Sequence, residues 1–302
     1  MSTPTPTAKA VHAHYSSLAL EDPSKNTQHA LKVASSFGYT PEDLASVPEG
    51  SNLGVSCGNP FAIAGIKPGE TVIDLGCGGG FDVFQAAHKV GPTGLAIGVD
   101  SSEDMLALSR KNAANSKIEN VKFVFADITD IPLEDGSADC VISNCVINLL
   151  EERRKKVCFG ECFRLLREGG RVAVSDILAK KVFTEELKRD IGLYVGCVSG
   201  ASLVGDYEAW LREVGFGDIL IVDKKSDLNI YKERSSSNES GATESKSLES
   251  SCCAPATSCC RPEASGDSKV DSENTMAKRV ADIDFNEWVS SYSIYAVKPK
   301  KQ

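Results

Sequence analysis

The chain has 302 residues, 33 Lys and Arg against 42 Asp and Glu, a net charge of −9 and 41% hydrophobic residues. That length supports a substantial core, the acidic balance speaks against a nucleic-acid partner, and no apolar run approaches the ~18 residues of a membrane helix. Its 11 cysteines, an odd number without a hydrophobic signal core after Met1, read as reduced thiols of a cytoplasmic protein rather than a disulfide framework.

In chain order, the opening MSTPTPTAKA is punctuated by Pro and Thr, and its lack of arginine argues against a transit peptide. Short helices are expected over 11–20, 28–37 and 41–45, followed by a Gly- and Pro-interrupted loop over 52–66. From Thr71 the pattern becomes regular. Strand-like runs at 71–75, 95–99, 122–125, 139–143 and 171–176 alternate with helical stretches at 81–89, 102–115 and 151–167. That alternation predicts a parallel sheet with helices on both faces. In the helix over 151–167, Val157, Cys158, Cys162, Leu165 and Leu166 form the apolar stripe. Arg153, Arg154, Lys155 and Lys156 are expected to face water, and Gly169–Gly170 to end the helix. Helices over 184–196 and 206–214 precede two closing strands, 218–222 and 293–297. Between those strands, 12 of the 41 residues in 235–275 are Ser, none is aromatic, and acids outnumber bases by four. Such a segment buries too little to offset its ordering entropy, so an insertion over 233–278 is expected to be disordered.

The chemistry begins at Val72-Ile73-Asp74-Leu75-Gly76-Cys77-Gly78-Gly79-Gly80, a strand running through a glycine loop into a helix. Glycines suit a sharp turn that approaches a ligand closely. Asp100 ends the second strand, where a carboxylate can accept a ribose diol, and Asp127 ends the third. A nicotinamide cofactor would fit the first two features. The alternating spacing of Gly76, Gly78 and Gly80 and the acid at Asp74 depart from the dinucleotide fingerprint.

Here the sequence resembles the class I S-adenosylmethionine-dependent methyltransferases, through Asp74–Gly80, Asp100, Asp127–Ile128 and the strand ending Ser143-Asn144. The resemblance implies a Rossmann-like α/β fold in three layers, with a seven-stranded, mostly parallel sheet and an antiparallel last strand. It also implies S-adenosyl-L-methionine as cofactor, held by Asp74, Gly76, Gly78, Gly80, Asp100, Ser101, Met105, Asp127, Ile128 and Asn144. On this reading residues 1–70 carry the N-terminal helices and a substrate loop, and 71–302 form the methyltransferase domain.

Cysteines sort by position, since a buried one is more often a small hydrophobe than a ligand. Cys140, in mid-strand, and the pair Cys158 and Cys162 read as core; Cys77 rides in the cofactor loop. The four histidines show no metal-ligand spacing, and His12 and His14 are expected to face solvent. Cys57, Cys145 and Cys197 lie in three separate loops, in Gly54–Pro60, Ser143–Leu149 and Tyr194–Gly200. Together these segments resemble the arsenite methyltransferases, which implies that the three cysteines bind trivalent arsenic as methyl acceptor. The chemistry agrees: arsenic(III) is soft, binds thiolates, and keeps a lone pair for attack on the methyl carbon without a general base. The resemblance further implies arsenite or its thiol conjugates as substrate, and glutathione or thioredoxin as thiol reductant. A monomer that binds neither nucleic acid nor membrane is expected. Two departures stand out. No cysteine occurs in 18–28, and Gly196 and Tyr194 replace the Glu and Trp usual before the third cysteine, so Cys197 matches in position but not in neighbours. Cys252, Cys253, Cys259 and Cys260 in the insertion are candidate accessory thiols, with plain surface residues as the alternative. Two other functions stand as alternatives: a carbon methyltransferase of a quinone- or sterol-like acceptor, and a non-catalytic metalloid-sequestering protein. The first lacks a convincing acid/base histidine, and the second has no use for the cofactor motifs.

Overall fold

Strand β1 (Thr71–Leu75) is the third strand of a seven-stranded sheet of order β3-β2-β1-β4-β5-β7-β6. The other strands are β2 (Leu95–Asp100), β3 (Val121–Phe125), β4 (Ala138–Asn144), β5 (Leu166–Ala179), β6 (Gly217–Asp223) and β7 (Val289–Val297). Six strands run parallel, and β7 alone is antiparallel, between β5 and β6. The computed structural model describes residues 5–22, 27–184, 198, 200–232 and 284–301. A large unit comprises Met1–Leu228 and Phe285–Gln302, and a small one Asn229–Asp284. In the small unit Asn229 donates to Asp284 at 2.8 Å.

The central strands are apolar on both faces, as a sheet covered on both sides requires. Ile73, Val141, Val172 and Val174 face one core with Phe159, Leu165 and Tyr207; Val72, Cys140, Ile142 and Ala173 face the other with Val83, Ala86 and Val90. Helices α5 (Phe81–Val90), α6 (Glu103–Ser116) and α7 (Glu152–Leu165) make the crossovers. The chain builds outward from β1 to β3 and then returns to β4 on the other side of β1. This reversal opens a crevice at the carboxyl ends of β1 and β4, where ligands bind in open α/β sheets.

The structure departs from the sequence expectation in four places. The first helix, α1 (Pro6–Leu20), starts earlier than expected because Thr5 caps it by accepting from the Ala8 N–H at 3.3 Å. A short helix, α4 (Phe61–Ala64), interrupts the expected loop, with Asn59 Oδ1 accepting from Phe61 N at 2.9 Å. Helix α7 stops at Leu165, before the glycines. Gly169 and Gly170 instead lie inside β5, each exchanging a 2.8 Å backbone bond with Lys298 beyond β7. Finally, Lys155 of α7 is buried rather than solvated, whereas Val157 on the expected apolar stripe is half exposed. The helix expected over 184–196, the segment with Cys197, and the insertion with Cys252, Cys253, Cys259 and Cys260 lie outside the described residues, apart from Thr184.

Candidate functional site

Gly76 leaves β1 at φ +69°, and a Cβ there would meet Val146 Cγ1 at 2.5 Å. The N–H groups of Gly76 and Cys77 hold the turn against Val99 O at 2.8 and 3.0 Å. Gly78, at φ +51°, donates to Asp100 Oδ2 at 2.9 Å while Asp100 Oδ1 accepts from Ser102 N at 2.9 Å. Helix α6 braces the outside of the loop, with Ser109 Oγ and Asn112 Nδ2 donating to Gly78 O and Gly79 O. This loop forms one wall of a cleft lined by Asp74, Gly76, Gly78, Asp100, Ser101, Met105, Asp127, Ile128 and Asn144. Gly80 is the one cofactor candidate outside the lining. It caps α5, and a Cβ there would strike the Phe84 ring at 2.6 Å, so its role is packing. His12 from α1 lines the mouth and is exposed, as expected.

The electrostatics of the cleft are one-sided. Burial raises the Asp74 carboxyl well above the usual range, and the charges of Asp82 and Asp100 raise it further. Burial also lifts Asp82 to about 6, although hydrogen bonds from Tyr39 and Asn144 work against the rise. Asp100 is raised by burial, against the pull of the Gly78, Ser102 and Ser101 N–H groups. Asp127 goes the other way. Burial pushes it up, but Arg154 at 2.7 Å and the Thr129 bonds outweigh that and hold it below the usual range. Arg154, expected in water, thus pairs across the cleft rim.

Asn144 has a second role beyond lining the cleft. Its Nδ2 lies 2.9 Å from Tyr39 Oη, 2.9 Å from Gly58 O and 3.0 Å from Asp82 Oδ2, while its Oδ1 accepts from Cys57 N at 3.1 Å. It is therefore the tie between the cleft and the Cys57 loop. The loop packs so closely on β5 that a Cβ on Gly58 would lie 2.6 Å from Ser175 Cβ, and Ser291 Oγ donates to Cys57 O. Cys145 follows β4 at φ +60°, a rarely populated conformation for a residue with a side chain, held by its N–H to Ser175 O at 2.8 Å.

These anchors bring Cys57 and Cys145 together, both buried, and add a residue the sequence reading omitted. The two sulfurs and a carboxylate oxygen of Asp176 all lie within 4.8 Å of one another. Asp176 Oδ1 accepts from Asn148 Nδ2 and Ile177 N, both at 2.9 Å, and Oδ2 from Tyr207 Oη at 3.0 Å. Burial raises this carboxyl to about 6, with Lys155 and the hydrogen bonds acting to lower it. The Lys155 ammonium itself is bonded to Ser202 Oγ at 2.7 Å, Asn148 Oδ1 at 3.4 Å and Gly200 O. Asp100 and Asp127 stand out as acids at the ends of expected strands, and Asp176 ends the expected strand over 171–176 in the same way, although β5 itself runs on to Ala179. Tyr39 and Asp82 carry no comparable signal. Cys77, Cys140, Cys158 and Cys162 are buried in the core, Cys140 in mid-strand on the α5 face of the sheet and Cys158 and Cys162 on α7 at the other face, as expected.

Residues 66–232 match the family described as Methyltransferase domain. The chain belongs to this family. Among curated relatives, the methyltransferase is 46% identical over 188 residues to an arsenite methyltransferase of Halobacterium salinarum, covering 62% of this chain and 48% of that protein. It is 35% identical over 183 residues to one of Aquipseudomonas alcaligenes, covering 58% of this chain and 52% of that protein. The chain therefore spans about half the length of these curated relatives. Its fold resembles the crystal structure of an arsenic(III) S-adenosylmethionine methyltransferase from Chlamydomonas reinhardtii, at TM-score 0.51 and 22% identity over 99% of this chain and 75% of that one. It also resembles phosphoethanolamine N-methyltransferase 2 of Haemonchus contortus in complex with S-adenosyl-L-methionine, at TM-score 0.57 and 20% identity over 80% of this chain and 52% of that one. No described helix is long and apolar enough to cross a membrane.

Proposed function

We propose that this methyltransferase transfers methyl groups from S-adenosylmethionine to trivalent arsenic held by Cys57 and Cys145. The observation that carries the reading is the position of Cys145, which lines the cleft and at the same time belongs to the sulfur pair. A ligand on that sulfur faces whatever occupies the cleft.

The cleft suits the cofactor on its own chemistry. Asp74 and Asp82 are buried carboxylates and Asp100 a half-buried one beside them, a crowding that a cationic ligand relieves, and Gly78 leaves open the space that a Cβ would fill. When bound, S-adenosylmethionine supplies a sulfonium methyl group that a lone pair can take. The carboxylates attract and orient the cationic groups, and Asp100 stands beside the glycine loop to accept a ribose diol. At the sulfurs, each As–S bond forms as an As–O bond breaks, the thiol proton leaving with the hydroxide as water. The arsenic lone pair carries no proton, so the site needs no general base. What the residues contribute is position and the exclusion of water around two buried thiolates. Cys197 is the proposed third sulfur ligand. Arsenite or its thiol conjugates enter as substrate, a cytoplasmic thiol such as glutathione or thioredoxin restores the cysteines, and the enzyme acts as a monomer.

The test is incubation with arsenite, S-adenosylmethionine and a thiol, followed by chromatographic arsenic speciation. Methylated arsenic is expected, with turnover lost in Cys57→Ser and Cys145→Ser. A well-folded preparation that yields no methylated arsenic overturns the reading.

A further inference from the structure

We propose that Cys57, Cys145 and Asp176 also form a site for a thiophilic divalent cation of the zinc class, at the place where arsenic is proposed to bind. The binding itself follows from the donor set and does not depend on the arsenic reading; only the competition between the two ligands does.

A pure sulfur set suits a soft metalloid. Two sulfurs with one carboxylate oxygen are instead the mixed soft and hard donors that a borderline cation such as Zn2+ accepts, and that Mg2+ and Ca2+ do not. Their mutual separations, within 4.8 Å, exceed those of donors around one zinc by at most about 1 Å, given Zn–S near 2.3 Å and Zn–O near 2.0–2.2 Å. Modest side-chain rotation covers that distance. Three protein ligands leave the fourth tetrahedral position for water or a small ligand.

The surroundings are those of a ligating carboxylate. Metal-binding side chains are normally oriented by outer hydrogen bonds, and Asp176 receives three, from Asn148, Ile177 N and Tyr207. The sulfurs are equally constrained through their backbones, Cys57 by Asn144 and Cys145 by Ser175. Two thiolates and a carboxylate around a dication leave one negative charge, and behind it lies the buried Lys155 ammonium, bonded to Asn148 and paired with Glu152 Oε2 at 3.7 Å. Zinc and arsenite would exclude one another, so zinc would act as a reversible inhibitor of methylation.

The experiment uses the whole 302-residue chain with Cys252, Cys253, Cys259 and Cys260 changed to Ser, so that these thiols do not compete for the probe. Reduced, metal-free protein is titrated with Co2+, then with Zn2+. Expected are one Co2+ per chain, thiolate-to-cobalt charge-transfer bands with tetrahedral d–d bands, and stoichiometric displacement by Zn2+. The charge-transfer intensity should be halved or lost in Cys57→Ser and in Cys145→Ser. Asp176→Asn should weaken binding by at least about 10-fold, the lower end of what even an outer partner contributes. Arsenite added first should block the cobalt spectrum. Absence of charge-transfer bands overturns the proposal, as does unchanged affinity in a folded Asp176→Asn. If that variant does not fold, the cobalt spectrum of the parent chain still decides. Cobalt bound by two thiolates without any methylated arsenic would leave the cation site standing and remove the arsenic reading. Methylated arsenic without cobalt charge transfer would do the reverse.

Discussion

Replacing Lys155 with Met should destabilise the fold in a pH-dependent way, because the ammonium sits beside a carboxyl that is reluctant to ionise. In the native state Asp176 is raised to about 6 from an ordinary 3.8. Those two units correspond to about 3 kcal/mol of native-state penalty at neutral pH. Since the folded-state pKa is the higher one, the folded state binds more protons between the two values. Stability therefore falls as pH rises from about 4 to about 6, and this contribution is constant above. Lys155 is the foremost group holding the value down, so without it the pKa climbs further and the fall continues above pH 6 at about 1.4 kcal/mol per unit. Near pH 5.5 the carboxyl is largely protonated in both proteins. The difference there reduces to the bonds lost by Ser202, Asn148 and Gly200 and the solvent-screened pair with Glu152 at 3.7 Å, together about 2 kcal/mol. At pH 8 it should reach about 4–5 kcal/mol, in the range for stranding one partner of a buried pair. Urea denaturation of both proteins under reducing conditions at pH 5.5 and 8 measures this. A difference that does not grow with pH, or one below about 1 kcal/mol at pH 8, would refute the coupling between Lys155 and Asp176.

Four further outcomes are expected. Asn144→Ala unties Gly58 and Cys57 N from β4, and should lower kcat/KM for arsenite about 100-fold, equivalent to the ~3 kcal/mol of two or three lost buried hydrogen bonds; steady-state turnover within twofold of the parent would contradict this. Gly78→Ala puts a Cβ at φ +51° into open cleft space, with Met105 Sδ at 3.9 Å, so calorimetry should show cofactor affinity falling more than about 10-fold for only ~1–2 kcal/mol of stability. Gly80→Ala, by contrast, drives a Cβ into Phe84 and should lose stability first. Cofactor affinity should rise from pH 5 to 7, because Asp82, raised to about 6, becomes anionic across that window and attracts a cation; a flat profile there would show that Asp82 does not face the cationic groups.

Most of the fold was legible because strand and helix periodicities are local. The five parallel strands from β1 to β5 and the glycine loop appear in the order that the alternation predicts, and the antiparallel β7 is as the family resemblance implies. The misread positions share a cause. Gly169 and Gly170 look like a helix terminator, but in space they face Lys298, and pairing with β7 draws them into a strand. Lys155 lies among three other basic residues on α7 and reads as part of a solvated face. It is buried because Gly200 and Ser202, some 45 residues later, supply acceptors above it.

The site divides in the same way. By itself the sequence determined which residues end the strands, hence the cofactor-loop motifs and the place of Cys145 after β4, since a strand end is set by local pattern; Cys57 is marked by the resemblance of its loop. Only the tertiary structure decided what meets there. The reversal of strand order at β1 and β4 and the adjacency of β4 to β5 bring Cys57, Cys145 and Asp176 into one cluster. The same packing lets Asn144 bridge to Tyr39 and Asp82. Hydrogen bonds between residues 60 to 120 positions apart leave no period in the sequence, because their geometry is set by which strands lie side by side.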